Sequence, residues 1–117
     1  MLRDIATPDT ALSRIGIAIR WIRENFAEPL RVDTLAEMAA LSVSAFHRHF
    51  KAVTALSPLQ YQKQVRLLRA RSLLIAGEGN VTSIAFGVGY ESPTQFSREY
   101  ARQFGMPPSR DAARLRR

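Results

Sequence analysis

The chain has 117 residues, 46% of them apolar, enough for one compact domain or two tightly joined subdomains. Seventeen Lys and Arg against ten Asp and Glu give a formal charge of +7, and fifteen of the seventeen are Arg, the side chain best shaped for phosphate oxygens and guanine edges. The absence of cysteine excludes disulfides and thiolate zinc sites, and no apolar run approaches the roughly 18 residues of a membrane span, so a cytoplasmic protein without a membrane partner is expected.

The charge is one-sided. No Asp or Glu occurs between Glu37 and Glu78, whereas Arg48, Lys51, Lys63, Arg66, Arg69 and Arg71 all do, the footprint of a polyanion partner. In chain order, Thr7, Pro8 and Asp9 read as a helix start, with Thr as cap and Pro at the first helical position. Leu12, Ile15, Ile19, Ile22 and Phe26 then recur at spacings of 3, 4, 3 and 4, which predicts a helix to about Phe26 with that stripe facing a core and Trp21 off it. Pro29 marks the stop. A short helix over about 32–40 follows, with Arg31 a poor residue at its cap position, so a frayed or alternatively capped start is expected.

Ser42 caps the next helix, about 43–53, in which Phe46 and Phe50 take the buried side and Ser44, His47, Arg48 and Lys51 the exposed one. The segment SPLQYQKQVRLLRARSLLIAG has clear boundaries: Ser57 as cap, Pro58 first in the helix, Gly77 as terminator. Its helix is about 28 Å long, comparable with the roughly 34 Å between successive major-groove faces of duplex DNA. Tyr61, Val65, Leu67, Leu68, Leu73 and Leu74 read as its core residues. Asn80 caps a helix over about 81–88, Gly89 makes a turn, Ser92 and Pro93 open a helix to about Gln103, and Pro107-Pro108 introduce a last short helix whose basic tail, Arg114 to Arg117, is expected to fray.

Two of these stretches are copies of one pattern. LAEMAALSVSAFHRHF (35–50) and IAFGVGYESPTQFSREY (84–100) align Leu35-Ala36 with Ile84-Ala85 at an offset of 49, and Ser42, Phe46, Arg48 and Phe50 with Ser92, Phe96, Arg98 and Tyr100 at 50. The second turn is one residue longer. Each copy reads as a helix-turn-helix, whose second helix lies in the major groove with its N-terminal residues nearest the base edges. The base-reading candidates are therefore Ser44, His47 and Arg48, and Thr94, Gln95, Ser97 and Arg98. An Arg can pair in bidentate fashion with guanine, worth about 1–3 kcal/mol of discrimination, and a Gln suits adenine. Any one such residue, taken alone, reads as a solvated polar side chain; two copies in equivalent places favour the base-reading role. Ser42, Lys51, Arg66, Arg69, Ser92 and Arg102 are the candidate phosphate contacts, with simple solubilisation an equal reading for Arg66 and Arg69. Exposed or packed, Phe86 stands out beside Gly87 as core or as part of a protein-binding patch.

Catalysis has no support in these residues. His47 and His49 are two apart, whereas a helical chelate needs ligands three or four apart, so no metal is expected. No carboxylate stands near Ser44 and His47 to complete a nucleophilic arrangement, and the glycines form no phosphate-binding loop, so neither an enzyme nor a cofactor is expected.

LAEMAALSVSAFHRHFK, SPLQYQKQVRLLRA and above all IAFGVGYESPTQFSREYARQFGMPP closely resemble the C-terminal DNA-binding domain of AraC/XylS-family transcriptional regulators, over roughly 15–110. The resemblance implies an all-α fold of about seven helices, two helix-turn-helix subdomains (8–56 and 80–117) joined by a long connecting helix (57–77). It also implies sequence-specific binding of double-stranded DNA in adjacent major grooves to regulate transcription, with base readers at the same seven positions. RNA polymerase is an implied partner, as is an N-terminal effector or dimerisation domain outside this chain, so an excised, monomeric output domain is expected ahead of a naturally short monomeric binder. Two departures stand out: Ala40 and Ala55 occupy places where the family usually has Gly, and Asp111-Ala112 replaces a usual aromatic-Arg pair. Left-handed backbone at either Ala costs on the order of 1 kcal/mol and would leave the first unit the less rigid. The competing function is a protein-interaction module with incidental nonspecific nucleic-acid affinity.

Overall fold

Seven helices and short loops account for residues 10–116, the part of the chain that the computed structural model describes, and no strand occurs among them. They are α1 (Ala11–Glu24), α2 (Val32–Met38), α3 (Val43–Thr54), α4 (Pro58–Ala76), α5 (Val81–Gly87), α6 (Pro93–Phe104) and α7 (Pro108–Leu115). The described residues form two compact units, 10–25 with 30–62 and 26–29 with 63–116, so α4 contributes its first turn to one unit and the rest to the other.

In the first unit α1 packs on α2 and α3. The start read at Thr7, Pro8 and Asp9 lies outside the described residues; within them, Thr10 Oγ1 accepts from the Ser13 backbone N–H at 3.1 Å and caps α1. Ile15, Ala18 and Ile22 are fully buried, with Ile19 and Trp21 half-buried beside them. The expected stripe is too long at both ends. Leu12 is 67% exposed, and Phe26, beyond the Asn25 C-cap, belongs to the core of the other unit. Periodicity identifies the apolar face of a helix but not how far its neighbours extend along it. Arg31 makes no side-chain cap to α2, as its chemistry suggests, and α2 stops at Met38. Phe46 and Phe50 are buried side by side with ring centroids 5.5 Å apart, and Tyr61 meets Phe50 edge-on at 5.7 Å. Each buried Phe contributes about 1.5–3 kcal/mol by removal from water.

The boundaries of α4 follow the sequence. Ser57 Oγ accepts from the Gln60 N–H, and Gln60 Oε1 accepts from the Ser57 N–H, a reciprocal capping box. At the far end Gly77 N–H donates to Leu74 O and Glu78 N–H to Leu73 O, a Schellman turn that needs the φ of 72° at Gly77.

The second unit is built on Leu67, Ala70 and Leu74 of α4, Ile84 and Ala85 of α5, Val88 and Tyr90 of the turn that follows, Phe96 and Tyr100 of α6, and Ala112 of α7. Leu68 is not core: it is 49% exposed. The α7 tail is tied down where fraying was expected, since Arg114 donates to Asp111 Oδ1 at 3.0 Å and Arg116 Nε to Leu74 O at 3.1 Å. Arg117 lies outside the described residues. Asp111 itself is fully buried, and its carboxylate accepts from Tyr100 OH at 2.6 Å and from Arg71 Nε at 3.0 Å. Burial alone would raise the Asp111 pKa, but the bonds from Tyr100, Arg71 and Arg114 outweigh it and hold the carboxyl below its ordinary value. Arg71 also stacks on the Phe104 ring at 4.3 Å.

Candidate nucleic-acid interface

The two copies of the sequence pattern have the same local hydrogen bonding. In the first, Ala40 N–H donates to Glu37 O and Leu41 N–H to Ala36 O; in the second, Gly89 N–H donates to Phe86 O and Tyr90 N–H to Ala85 O. Both are Schellman turns, and both put their central residue at positive φ, 56° for Ala40 and 108° for Gly89. Ser42 Oγ then accepts from Ala45 N–H and Ser92 Oγ from Gln95 N–H, each at 3.1 Å. The second helices of the two copies, α3 and α6, close alike as well: Ala55 N–H reaches Lys51 O and Gly105 N–H reaches Ala101 O, both at 2.8 Å and both with left-handed φ, 66° and 88°. The offset of 49 before the turn and 50 after it comes from Glu91, the extra residue between Tyr90 and Ser92.

Phe46 and Phe50 anchor the inner face of α3, and Phe96 and Tyr100 that of α6, where Tyr90 packs edge-on against Phe96 at 5.3 Å. That phase decides what is presented outward. On α3 it exposes Ser44, His47, Arg48 and Lys51; on α6 it exposes Thr94, Gln95, Arg98 and Arg102, with Ser97 half-buried. The side chains of Arg48 and Arg98 make no hydrogen bond or ion pair to another described residue, nor do those of Lys51, Arg69 and Arg102. Cations left without protein partners are available to an anionic ligand. Ser42 and Ser92 are engaged as caps, which leaves their hydroxyl protons free to donate.

Arg66 is different. Its Nε donates to Phe26 O at 2.6 Å and one of its terminal nitrogens to Glu28 O at 3.2 Å, while the guanidinium lies 5.7 Å from the centre of the Tyr90 ring. Desolvation lowers its pKa, partly offset by Tyr90 and Glu99. The guanidinium thus clamps the 26–29 segment to α4. Gly89 belongs to the same arrangement, because a Cβ there would lie 2.8 Å from the Arg66 guanidinium and 2.9 Å from the Ala27 Cα.

A second polar cluster lies behind the exposed face of α6. Glu99 Oε1 accepts from Tyr90 OH at 2.7 Å, and Glu99 Oε2 accepts from Lys63 Nζ at 3.1 Å and Gln95 Nε2 at 2.9 Å. Neither the Glu99 cluster nor the Asp111 cluster is evident from helical spacing, since their partners lie up to 40 residues apart. The available signal was chemical: Glu99 is the single acid of a basic helix. Among the described residues no group of His, Asp and Glu could hold a metal ion, and no helix is long and apolar enough to cross a membrane.

A family model described as a helix-turn-helix domain matches residues 35–114. The "HTH-type transcriptional activator RhaS" of Escherichia coli (strain SE11) is 34% identical over 100 residues, 86% of this chain. The chain spans 36% of that relative's length. Among solved structures, the DNA-binding domain of AdpA in complex with a target DNA has a TM-score of 0.80 and 31% identity, covering 87% of this chain and 92% of that one. A regulator from Chromobacterium violaceum, described as an AraC-type DNA-binding domain-containing protein, has a TM-score of 0.81 and 28% identity over 87% and 91%. With the doubled helix-turn-helix, the shared turn geometry and these likenesses in hand, the chain belongs to the AraC/XylS family as one of its C-terminal helix-turn-helix domains.

Proposed function

We propose that this domain binds duplex DNA sequence-specifically, with α3 and α6 each in a major groove and the two grooves adjacent, and so regulates transcription as the output part of a longer protein. The observation that carries the reading is the doubled one: equivalent caps, turns and aromatic anchors leave Arg48 and Arg98 at matching places on two exposed helix faces. The likeness to a domain solved on its target DNA supports the same reading. Ser44, His47 and Arg48 then read bases in one half-site, and Thr94, Gln95, Ser97 and Arg98 in the other. Lys51, Arg69 and Arg102, with the Ser42 and Ser92 hydroxyls, hold phosphates. RNA polymerase and an N-terminal effector or dimerisation domain are the protein partners this role calls for, and the chain alone acts as a monomer. Phe86, 52% exposed on α5, supports a second reading in which the surface serves a protein partner and DNA affinity is incidental.

Replacing Arg48 or Arg98 by Ala separates the two. On the best site each substitution is expected to cost about 1–3 kcal/mol and to relax preference only in its own half, with nonspecific affinity little changed. Equal weakening on all sequences would make that Arg a phosphate clamp, and a wild-type protein with no preference over random duplex would favour the protein-interaction reading.

A further inference from the structure

Gln95 and Glu99 stand one turn apart on α6, and their contact has a consequence for which base α6 selects. The Glu99 side chain is 14% exposed and has donors on three sides, Tyr90 OH, Lys63 Nζ and Gln95 Nε2. Burial would raise its pKa, yet the bonds from Gln95, Tyr90 and Lys63 bring it below the ordinary value, so the group is a carboxylate at neutral pH. A carboxylate only accepts hydrogen bonds. The Gln95 amide can therefore meet it only with its NH2 end; the flipped orientation would set oxygen against oxygen. An untethered Gln on a helix surface turns either end outward, and as a reader it tolerates bases that accept as well as bases that donate. Here the choice is removed, and Gln95 Oε1, which accepts no hydrogen bond from another described residue, is the end left to face outward. In the major groove an acceptor recognises the exocyclic amines, adenine N6 and cytosine N4, and the second N–H of the same amide adds adenine N7.

We infer that Glu99 is a specificity-setting positioning residue: by holding the Gln95 amide nitrogen it makes α6 select a base with a major-groove amino group at the Gln95 position, adenine ahead of cytosine. Lys63 completes the device by offsetting the negative charge that a bare carboxylate would bring toward the DNA backbone. The inference rests on the proposal that α6 enters the major groove.

Two measurements test it. In the free protein, the side-chain amide protons of Gln95 are expected to exchange with solvent more slowly than those of Gln103, which is exposed on the same helix. Equal exchange would remove the tether and overturn the inference without touching the proposed function. In a binding selection with each base randomised, the wild type is expected to prefer adenine over guanine or thymine about tenfold at one position, and Glu99→Gln, whose amide accepts either end of Gln95, to reduce this to about twofold. The preferences set by α3 stay as they are and the affinity for random duplex does not fall, which a merely destabilised protein would not achieve. Glu99→Gln with the adenine preference intact overturns the positioning role, and Gln95→Ala with every preference intact overturns Gln95 as reader. Absence of sequence preference at all positions in the wild type overturns the proposed function itself.

Discussion

The repeat makes a quantitative statement about Ala55. It closes α3 at φ 66°, where Gly105 closes α6 at φ 88°, and both donate the same bond to the carbonyl four residues earlier. For an L-residue with a Cβ the left-handed conformation costs roughly 1–2 kcal/mol, which Gly avoids. Against this, Gly adds about 0.4–1 kcal/mol of unfolded-chain entropy to be lost on folding. Ala55 is exposed, so its methyl group contributes little burial. Ala55→Gly is therefore expected to stabilise the first unit by about 0.5–1 kcal/mol, raising the thermal midpoint by roughly 2–8 °C. Gly105→Ala is the reciprocal change: nothing lies within 4 Å of the added Cβ, so backbone strain alone should lower stability by a similar amount. Urea titration followed by helical circular dichroism measures both. An Ala55→Gly protein no more stable than the wild type would refute the argument that one backbone pattern is imposed on both copies.

Three further outcomes are expected. Lys51→Ala should flatten the dependence of log affinity on log salt by about one unit at unchanged stability. Arg66→Ala should instead destabilise the fold by about 1–3 kcal/mol in urea titration, because the Phe26 and Glu28 carbonyls lose a charged donor, with the salt slope left nearly as it was. Asp111 has a folded pKa below its unfolded value, so the stability it contributes is fully present above about pH 4 and is lost as the pH falls through the folded value; Asp111→Asn should lower stability at pH 7 by about 2–3 kcal/mol and shrink the acid-dependent loss seen by urea titration at pH 7 and pH 3.

Where one local interaction decides the structure, the sequence was enough. Ser57, Pro58 and Gly77 bound α4 because capping and glycine termination act within a turn, and Ser42 and Ser92 were legible for the same reason. The phase of α3 and α6 was equally plain, since aromatic residues four apart leave one outward face. Leu12 and Leu68 went the other way, because helical periodicity marks an apolar stripe without saying what covers it. The site divides along the same line. Exposure of Arg48, Lys51, Arg98 and Arg102 follows from phase, whereas the inward turn of Arg66 depends on carbonyls 40 and 38 residues away, and a basic residue on α4 gives no local sign of it. The hold of Glu99 on Gln95 is local in sequence, one turn of helix, but its significance depends on Lys63 and Tyr90 arriving from elsewhere to fix the carboxylate.

The central claim, two reading helices on one chain in adjacent major grooves, is tested most directly by spacing. One chain should protect two patches of its best site about 10 base pairs apart on the same face of the duplex, and inserting about 5 base pairs between them should turn one patch to the far side and weaken binding steeply. Affinity and footprint unchanged by the insertion would contradict the account and leave a single reading helix in contact with DNA.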